Sequence, residues 1–320
     1  MRSSVAKQTE KPRNQNAAAV EMRKKLAVKI GTCAQSLGEN STPIPGLAVY
    51  SRTKPTACFL ATYEPSLSVF VQGRKRINLG GNIYHCDESS FLLTSIDVPV
   101  ESQIIEASEK APLLSMFLRL DMPMVREVMS REELPELKTL NQSRGLAVGE
   151  TTVGLLDACI RLIDLLDTPE DIPFLSYLIL REIIYRVLRT PQGERLRAIA
   201  TTGDLSYRTA RAISWLRANY AKPLHLEELA GVARMGVSTL HHQFRALTAM
   251  SPLQYQKQLR LQTARQRMLM DGMDATSAAY EVGYESVSQF NREYGRFFGQ
   301  PPMRDIKALR AAKVVAISAA

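Results

Sequence analysis

Two short sets of polar side chains have the composition of a surface that reads hydrogen-bonding edges. The first is Ser238, Thr239, His241, His242 and Arg245; the second is Val287, Ser288, Gln289, Asn291, Arg292 and Arg296. In the major groove of duplex DNA, Gln and Asn pair with adenine, Arg pairs with guanine, and Val meets a thymine methyl group. Arg245 and Arg296, a turn further along, are expected to hold phosphates. Histidine titrates near neutrality, so a contact through His241 or His242 varies with pH. Ser286 and Gln289 also have the spacing of a capping box, a competing structural use for Gln289. Any one of these residues suits a solvated helix face equally well. The case for DNA rests on the two sets together.

The elements that must position these sets read as one helical device written twice. The first copy is HLEELAGVARMGVSTLHHQFRAL, from His225 to Leu247, and the second is ATSAAYEVGYESVSQFNREYGRFFG, from Ala275 to Gly299. Each opens with a short apolar-periodic helix, breaks at a glycine (Gly236 or Gly283), and resumes with a large apolar residue every fourth position. Those pairs are Leu240 with Phe244 and Phe290 with Tyr294, and they turn the polar sets outward. This is a helix-turn-helix pattern. Ala230 and Ala279 sit where the first helix must let the second come close, and the second turn is one residue longer. A joining helix starts at Ser251 as N-cap with Pro252 at its first position and runs to about Met270. About eighteen residues make it roughly 27 Å long, enough with its flanking turns to hold two recognition helices one DNA turn apart.

The residues LEELA, STLHHQF, Ser251–Pro252, the Arg260/Ala264/Leu269 pattern and VGYESVSQFNREYGRFFGQPP resemble the DNA-binding domain of the AraC/XylS family of bacterial transcription regulators. The likeness runs from about Thr209 to Lys307. It departs at one turn, where the family has Thr-Gly before Ser-Pro and this chain has Ala249-Met250.

Charge agrees with this division. Residues 205–320 hold 16 Lys/Arg against 8 Asp/Glu, residues 1–30 hold 8 against 2, and the acidic middle holds 17 against 22. An acidic block beside a basic one fits a sensor joined to a nucleic-acid binder. No stretch of eighteen apolar residues occurs, so no membrane span is expected. The N-terminus lacks the apolar segment of a secretion signal. Cys33, Cys58, Cys86 and Cys159 are scattered without a CxxC, as in a reducing cytoplasm.

From Gly46 to Leu120 the texture is short β-like runs: GLAVYSR, CFLATYE, LSVFVQG, KRINLGG, NIYHCDE, SFLLTSI, VPVESQIIEAS and LLSMFLRL. They predict a small barrel or sandwich. PSLSVFVQGRKRINLGG, LLTSIDVPVESQIIEAS and PLLSMFLRLD resemble the N-terminal cupin-like sensor domain of one AraC-type regulator subfamily. A metal cupin needs clustered histidines, and this region has His85 alone. Adjacent His85 and Cys86 point to opposite faces of a strand, and nothing in the sequence activates Cys58 or Cys86 as a redox thiol. Metal catalysis is therefore excluded on this reading.

Helices are expected over about Val20–Leu37, Met122–Leu140, Thr151–Leu166, the segment after Pro169, and Ser206–Asn219. Those after Thr151 suit either packing against the barrel or an antiparallel dimer interface; the family resemblance leans to a homodimer.

The expected fold class is α+β: an N-terminal cupin-like β-barrel with flanking helices, then an all-α domain with two helix-turn-helix motifs joined by a long helix. The expected boundaries are a disordered basic tail at 1–20, the sensor at 21–145, a helical dimerisation and linker region at 146–204, the DNA-binding domain at 205–310 and a tail at 311–320. The linker proper is expected at Arg195–Asp204. The expected partners are double-stranded promoter or operator DNA, an unknown small-molecule effector, and RNA polymerase if the protein is an activator, with no cofactor and a cytoplasmic, nucleoid-associated location. The alternative is a small-molecule-binding or enzymatic cupin carrying a basic helical domain for protein contacts. A DNA binder whose sensor has lost its ligand is a third reading.

Overall fold

The computed structural model describes residues 10–131, 134 and 144–318, in two compact units divided between Tyr207 and Arg208. The first unit opens with α1 (Glu10–Cys33), which starts inside the expected polar tail. Then come β1 (Gly38–Ser41), β2 (Leu47–Arg52), β3 (Phe59–Tyr63), β4 (Ser66–Gln72), β5 (Arg74–Leu79), β6 (Asn82–Cys86), β7 (Ser90–Thr94), β8 (Val98–Glu106) and β9 (Leu113–Arg119). After α2 (Met122–Arg131), a last strand β10 (Leu146–Glu150) precedes α3 (Val153–Asp164), α4 (Ile172–Leu188) and α5 (Gly193–Ala200). Most of the expected helix beyond Arg131 lies outside the described residues.

Two antiparallel sheets result, ordered β1-β2-β9-β4-β7-β10 and β3-β8-β5-β6. Strict alternation decides what each face of the larger sheet does. Leu47 and Val49, Leu67 and Val69, Phe91 and Leu93, and Met116 and Leu118 point to a core shared with Leu26 and Ile30 of α1 and Leu155, Leu156 and Cys159 of α3. The intervening residues, among them Tyr50, Ser68, Phe70, Leu92 and Phe117, line a cavity of about 380 Å³ that residues of β3 and β5 also border.

Three expectations change here. β10 pairs with β7 from Leu146↔Thr94 to Glu150↔Ser90, so the sheet extends past the expected boundary at 145. The apolar stripe of α3, a candidate dimer face, is buried in the unit's own core, as Leu155, Leu162 and Ile163 are. The expected linker at Arg195–Asp204 instead contains much of α5, whose residues 195–200 are buried, because Leu196 and Ala200 join that same core.

The second unit is helical. It comprises most of α6 (Leu205–Ala218), then α7 (Leu226–Ala233), α8 (Val237–Thr248), α9 (Pro252–Met270), α10 (Ala275–Glu281), α11 (Val287–Phe298) and α12 (Pro302–Ser318). α12 continues as helix where a tail was expected from residue 311. Ser251 caps α9 with Pro252 behind it, and a full capping box forms with Gln254. The turn before α9 corrects the placement of the departure from the family pattern. Thr248 is buried, donating its hydroxyl to the Phe244 carbonyl at 2.7 Å and accepting the Met250 N–H at 3.3 Å. The left-handed residue is Ala249, with φ 64°. The Thr-Gly of the family therefore corresponds to Thr248-Ala249, and one methyl group is the whole difference. An L-residue in this region carries a cost of about 1–2 kcal/mol that glycine avoids. Ala249→Gly is expected to stabilise this unit by about 1 kcal/mol. Denaturant unfolding followed through Trp215, the chain's single tryptophan, reads this out. An unchanged or lowered midpoint would show that the turn is not strained.

Candidate nucleic-acid interface

The turns of the α7–α8 and α10–α11 pairs open with the same backbone bonds. Met235 N–H reaches back to the Ala230 carbonyl, and Tyr284 N–H to the Ala279 carbonyl, each at 3.0 Å. The residue before each is left-handed: Arg234 with φ 52° and Gly283 with φ 90°. Gly236 is thus not the breaking residue. It is the extended N-cap of α8 at φ −68°, and the equivalent of Gly283 is Arg234. The extra residue of the second turn falls between Gly283 and Ser286, the N-cap of α11.

This register matches Leu240 with Phe290 and Phe244 with Tyr294, and all four are buried. The polar sets then pair as Ser238 with Ser288, Thr239 with Gln289, His241 with Asn291, and His242 with Arg292. Ser238, Thr239, His242 and Arg245 are exposed on α8, with His241 half-buried. Ser288, Gln289, Asn291, Arg292 and Arg296 are exposed on α11, with Val287 half-buried. Arg245 and Arg296 are not equivalent: the register sets Arg245 against Gly295 and Arg296 against Ala246.

Gln289 engages its side chain inside its own helix. Ser286 Oγ accepts the Gln289 N–H at 3.3 Å, but the Gln289 amide donates to Glu293 at 3.3 Å rather than back to the cap. Half of the expected capping box is present. Glu293 also takes the Tyr284 hydroxyl at 2.9 Å and Lys257 Nζ at 3.1 Å. Burial pushes its carboxyl up, but these three donors outweigh that and hold it below the usual range.

What holds α11 in place went unread in the sequence. Arg260 on α9 donates to the carbonyls of Tyr220 (2.7 Å), Ala221 (3.2 Å), Lys222 (2.9 Å) and Gly283 (2.9 Å). Gln256 adds bonds to Tyr220 and Lys222 at 2.9 and 2.7 Å. One guanidinium thereby closes the segment after α6, the middle of α9 and the α10–α11 turn on each other. Asp305 of α12, buried, accepts Arg265 through both oxygens (2.7 and 2.8 Å) and the Tyr294 hydroxyl (2.7 Å). Only Arg260 gave a sequence signal, as an arginine amid the apolar spacing of the joining helix.

In the first unit, His85 is exposed and Cys86 buried, on opposite faces as expected. Burial pushes the Cys86 and Cys159 thiols up to about 12, so both stay protonated and unreactive near neutrality. Cys58 is exposed.

Comparison with known proteins divides the chain in the same way. A family described as "AraC-type transcriptional regulator N-terminus" matches residues 43–195, and one described as "Helix-turn-helix domain" matches residues 229–307. The HTH-type transcriptional activator RhaS of Yersinia pestis (strain Pestoides F) is 31% identical over 105 residues. That match takes in 33% of this chain and 38% of the length of that relative. Among solved structures, an apo variant of ToxT from Vibrio cholerae aligns over 84% of this chain and 98% of its own, with a TM-score of 0.52 and 12% identity. A wild-type ToxT with bound unsaturated fatty acid aligns over 81% and 94%, with the same TM-score and identity. At that identity the likeness is one of fold: a sheet unit followed by a helical unit.

Proposed function

We propose that this chain, which belongs to the AraC/XylS family of transcription regulators, is a sequence-specific DNA-binding regulator whose N-terminal unit responds to a small molecule. The observation that carries this reading is the pairing of exposed residues on α8 and α11 in one register. Packing within each helix pair fixes only its buried positions, and gives no reason for hydrogen-bonding residues at the same four exposed positions of both. We read the pairs as two helix-turn-helix motifs, with α8 and α11 as recognition helices. α9, with 19 residues and about 28 Å of length, spaces them for successive major-groove segments. The two sheets of the first unit are read as a cupin-like barrel and its cavity as the effector site. ToxT, of the same fold, has been seen with a fatty acid bound, which supports a ligand-responsive first unit.

The same reading takes promoter or operator DNA as partner, and RNA polymerase too if this chain, like its Yersinia relative, is an activator. It needs no cofactor and no catalysis, and it places the protein in the cytoplasm. A homodimer fits through α4 rather than α3. Phe174 is 72% exposed, and Tyr177 and Leu178 are exposed beside it at helical spacing.

Selection of duplexes from a random pool by the full chain tests the reading. Enrichment of two half-sites about 10–10.5 bp apart is expected; a pool that stays random would overturn it. Arg292 and Arg296 sharpen the test. Arg292 is exposed, two residues from buried Phe290 and two from buried Tyr294. Arg292→Ala is expected to cost about 1–3 kcal/mol on the selected site and little on scrambled DNA. Arg296→Ala should weaken both alike and lower the log–log salt slope by about one unit. Equal losses on both duplexes for Arg292→Ala would reassign it to a phosphate contact.

A further inference from the structure

β5 carries a charge where its pattern calls for an apolar residue. Its sequence is RKRINL, and its inward positions are Lys75, Ile77 and Leu79; Ile77 and Leu79 are fully buried. Lys75 therefore projects between the two sheets, into the cavity of about 380 Å³. Its ammonium lies 5.7 Å from the ring centre of Tyr50, on the larger sheet, and 5.3 Å from that of Tyr63, on the smaller one. No carboxylate forms an ion pair with it among the described residues. The other basic group of the lining, Arg119, is exposed and already paired with Glu64 at 3.2 Å. Glu39, also on the lining, is exposed to solvent.

A cation drawn in between two sheets loses hydration, and the Tyr63 hydroxyl with the two rings returns only part of it. An anion entering the cavity would supply the counter-charge that the described residues do not place beside Lys75. Around Lys75 the wall is aromatic: Tyr50, Phe59, Tyr63, Phe70 and Phe117. Ring faces and edges favour a flat or ring-bearing body. The volume lies at the small end of ligand cavities, which run from about 300 to 1,000 Å³. We infer that the cavity takes a compact organic acid, with an apolar, ring-bearing body among the aromatic side chains and a carboxylate paired with Lys75. The inference rests on reading the first unit as effector-binding, and it names the chemical class of that effector.

The test uses the full chain and matched pairs of probes: benzoate, 4-phenylbutyrate and 2-naphthoate, each with its primary amide. Binding is measured by ligand-observed NMR and by the shift in thermal midpoint. At least one acid is expected to bind, with its amide at least about tenfold weaker, since a charge-assisted hydrogen bond is roughly twice as strong as a neutral one. Lys75→Met should weaken that acid by about tenfold to a hundredfold, while Lys75→Arg, which keeps the charge, retains it. Lys75→Gln replaces Lys75→Met if the latter melts early without ligand. Acids and amides binding alike, acid binding untouched by Lys75→Met or Lys75→Gln, or no acid binding at millimolar concentration would each overturn the inference. DNA selection fails or succeeds separately from these measurements, so loss of the regulator reading and loss of the acid site are told apart.

Discussion

Gly283→Ala is expected to destabilise the C-terminal unit by about 3 kcal/mol or more and to abolish specific DNA binding. The residue sits at φ 90°, where an alanine costs about 1–2 kcal/mol. A Cβ there would also lie 1.9 Å from the Ala221 carbonyl oxygen and 2.8 Å from its carbon. That carbonyl is one that Arg260 holds, so the backbone cannot yield without releasing the bonds to Tyr220, Lys222 and Gly283. Overpacking of this kind adds about 1–3 kcal/mol. Denaturant unfolding through Trp215 measures the loss. Gly231→Ala is the control of opposite sign. Gly231 lies within α7 with no atom near its would-be Cβ, and the exchange should stabilise by about 0.5–1 kcal/mol. If both variants shift the midpoint alike, the close approach at Gly283 is not what closes this turn.

Asp305→Ala is the second large effect, an expected loss of about 3–5 kcal/mol. Asp305 is 3% exposed and answers Arg265 and the Tyr294 hydroxyl at once. Removing it leaves a largely buried guanidinium without its counter-charge and a buried hydroxyl without an acceptor. Burial and the bond to Asp305 both raise the Tyr294 hydroxyl well above its ordinary value, so this group remains a donor at any working pH. The Arg265 guanidinium also lies 4.3 Å from the Phe298 ring centre, so the site joins α9, α11 and α12. α11 is the proposed reader of the second half-site, so Asp305→Ala should lower specific affinity along with stability. Asp305→Asn keeps the shape and should cost less. The exposed Arg267–Asp271 pair is screened by water and salt, and Asp271→Ala is expected to leave the Trp215 midpoint in place. A loss for Asp305→Ala no larger than that of Asp271→Ala would show that the Asp305 cluster is solvated.

Much of the architecture is local and was legible. The eight runs between Gly46 and Leu120 all form strands, because period-two alternation and glycine turns act within a few residues. The same holds for the outward face of α11, which Phe290 and Tyr294 orient through i, i+4 spacing. Ser251 and Pro252 start α9 for reasons contained in four residues. β1, with the sequence GENS, has no apolar residue to signal a strand; its pairing with β2 makes it one. β10 was assigned to a helical region, because only Thr94 to Ser90 of β7 give it a partner.

The composition of 205–320, the doubled apolar pattern and the polar sets on its second helices are properties of the sequence by itself. They set the expectation of where DNA is met and through which residues. Tertiary structure decided the rest. It placed the left-handed residue of the first turn at Arg234 rather than Gly236, since the break falls where the helix end must bond back to Ala230. It turned Arg260 and Asp305 from ordinary charges into the ties of α11. It also made Lys75 a cavity residue: RKRINL states that positions 75, 77 and 79 share a face, and only the opposing sheet, with Tyr50 on it, makes that face an interior.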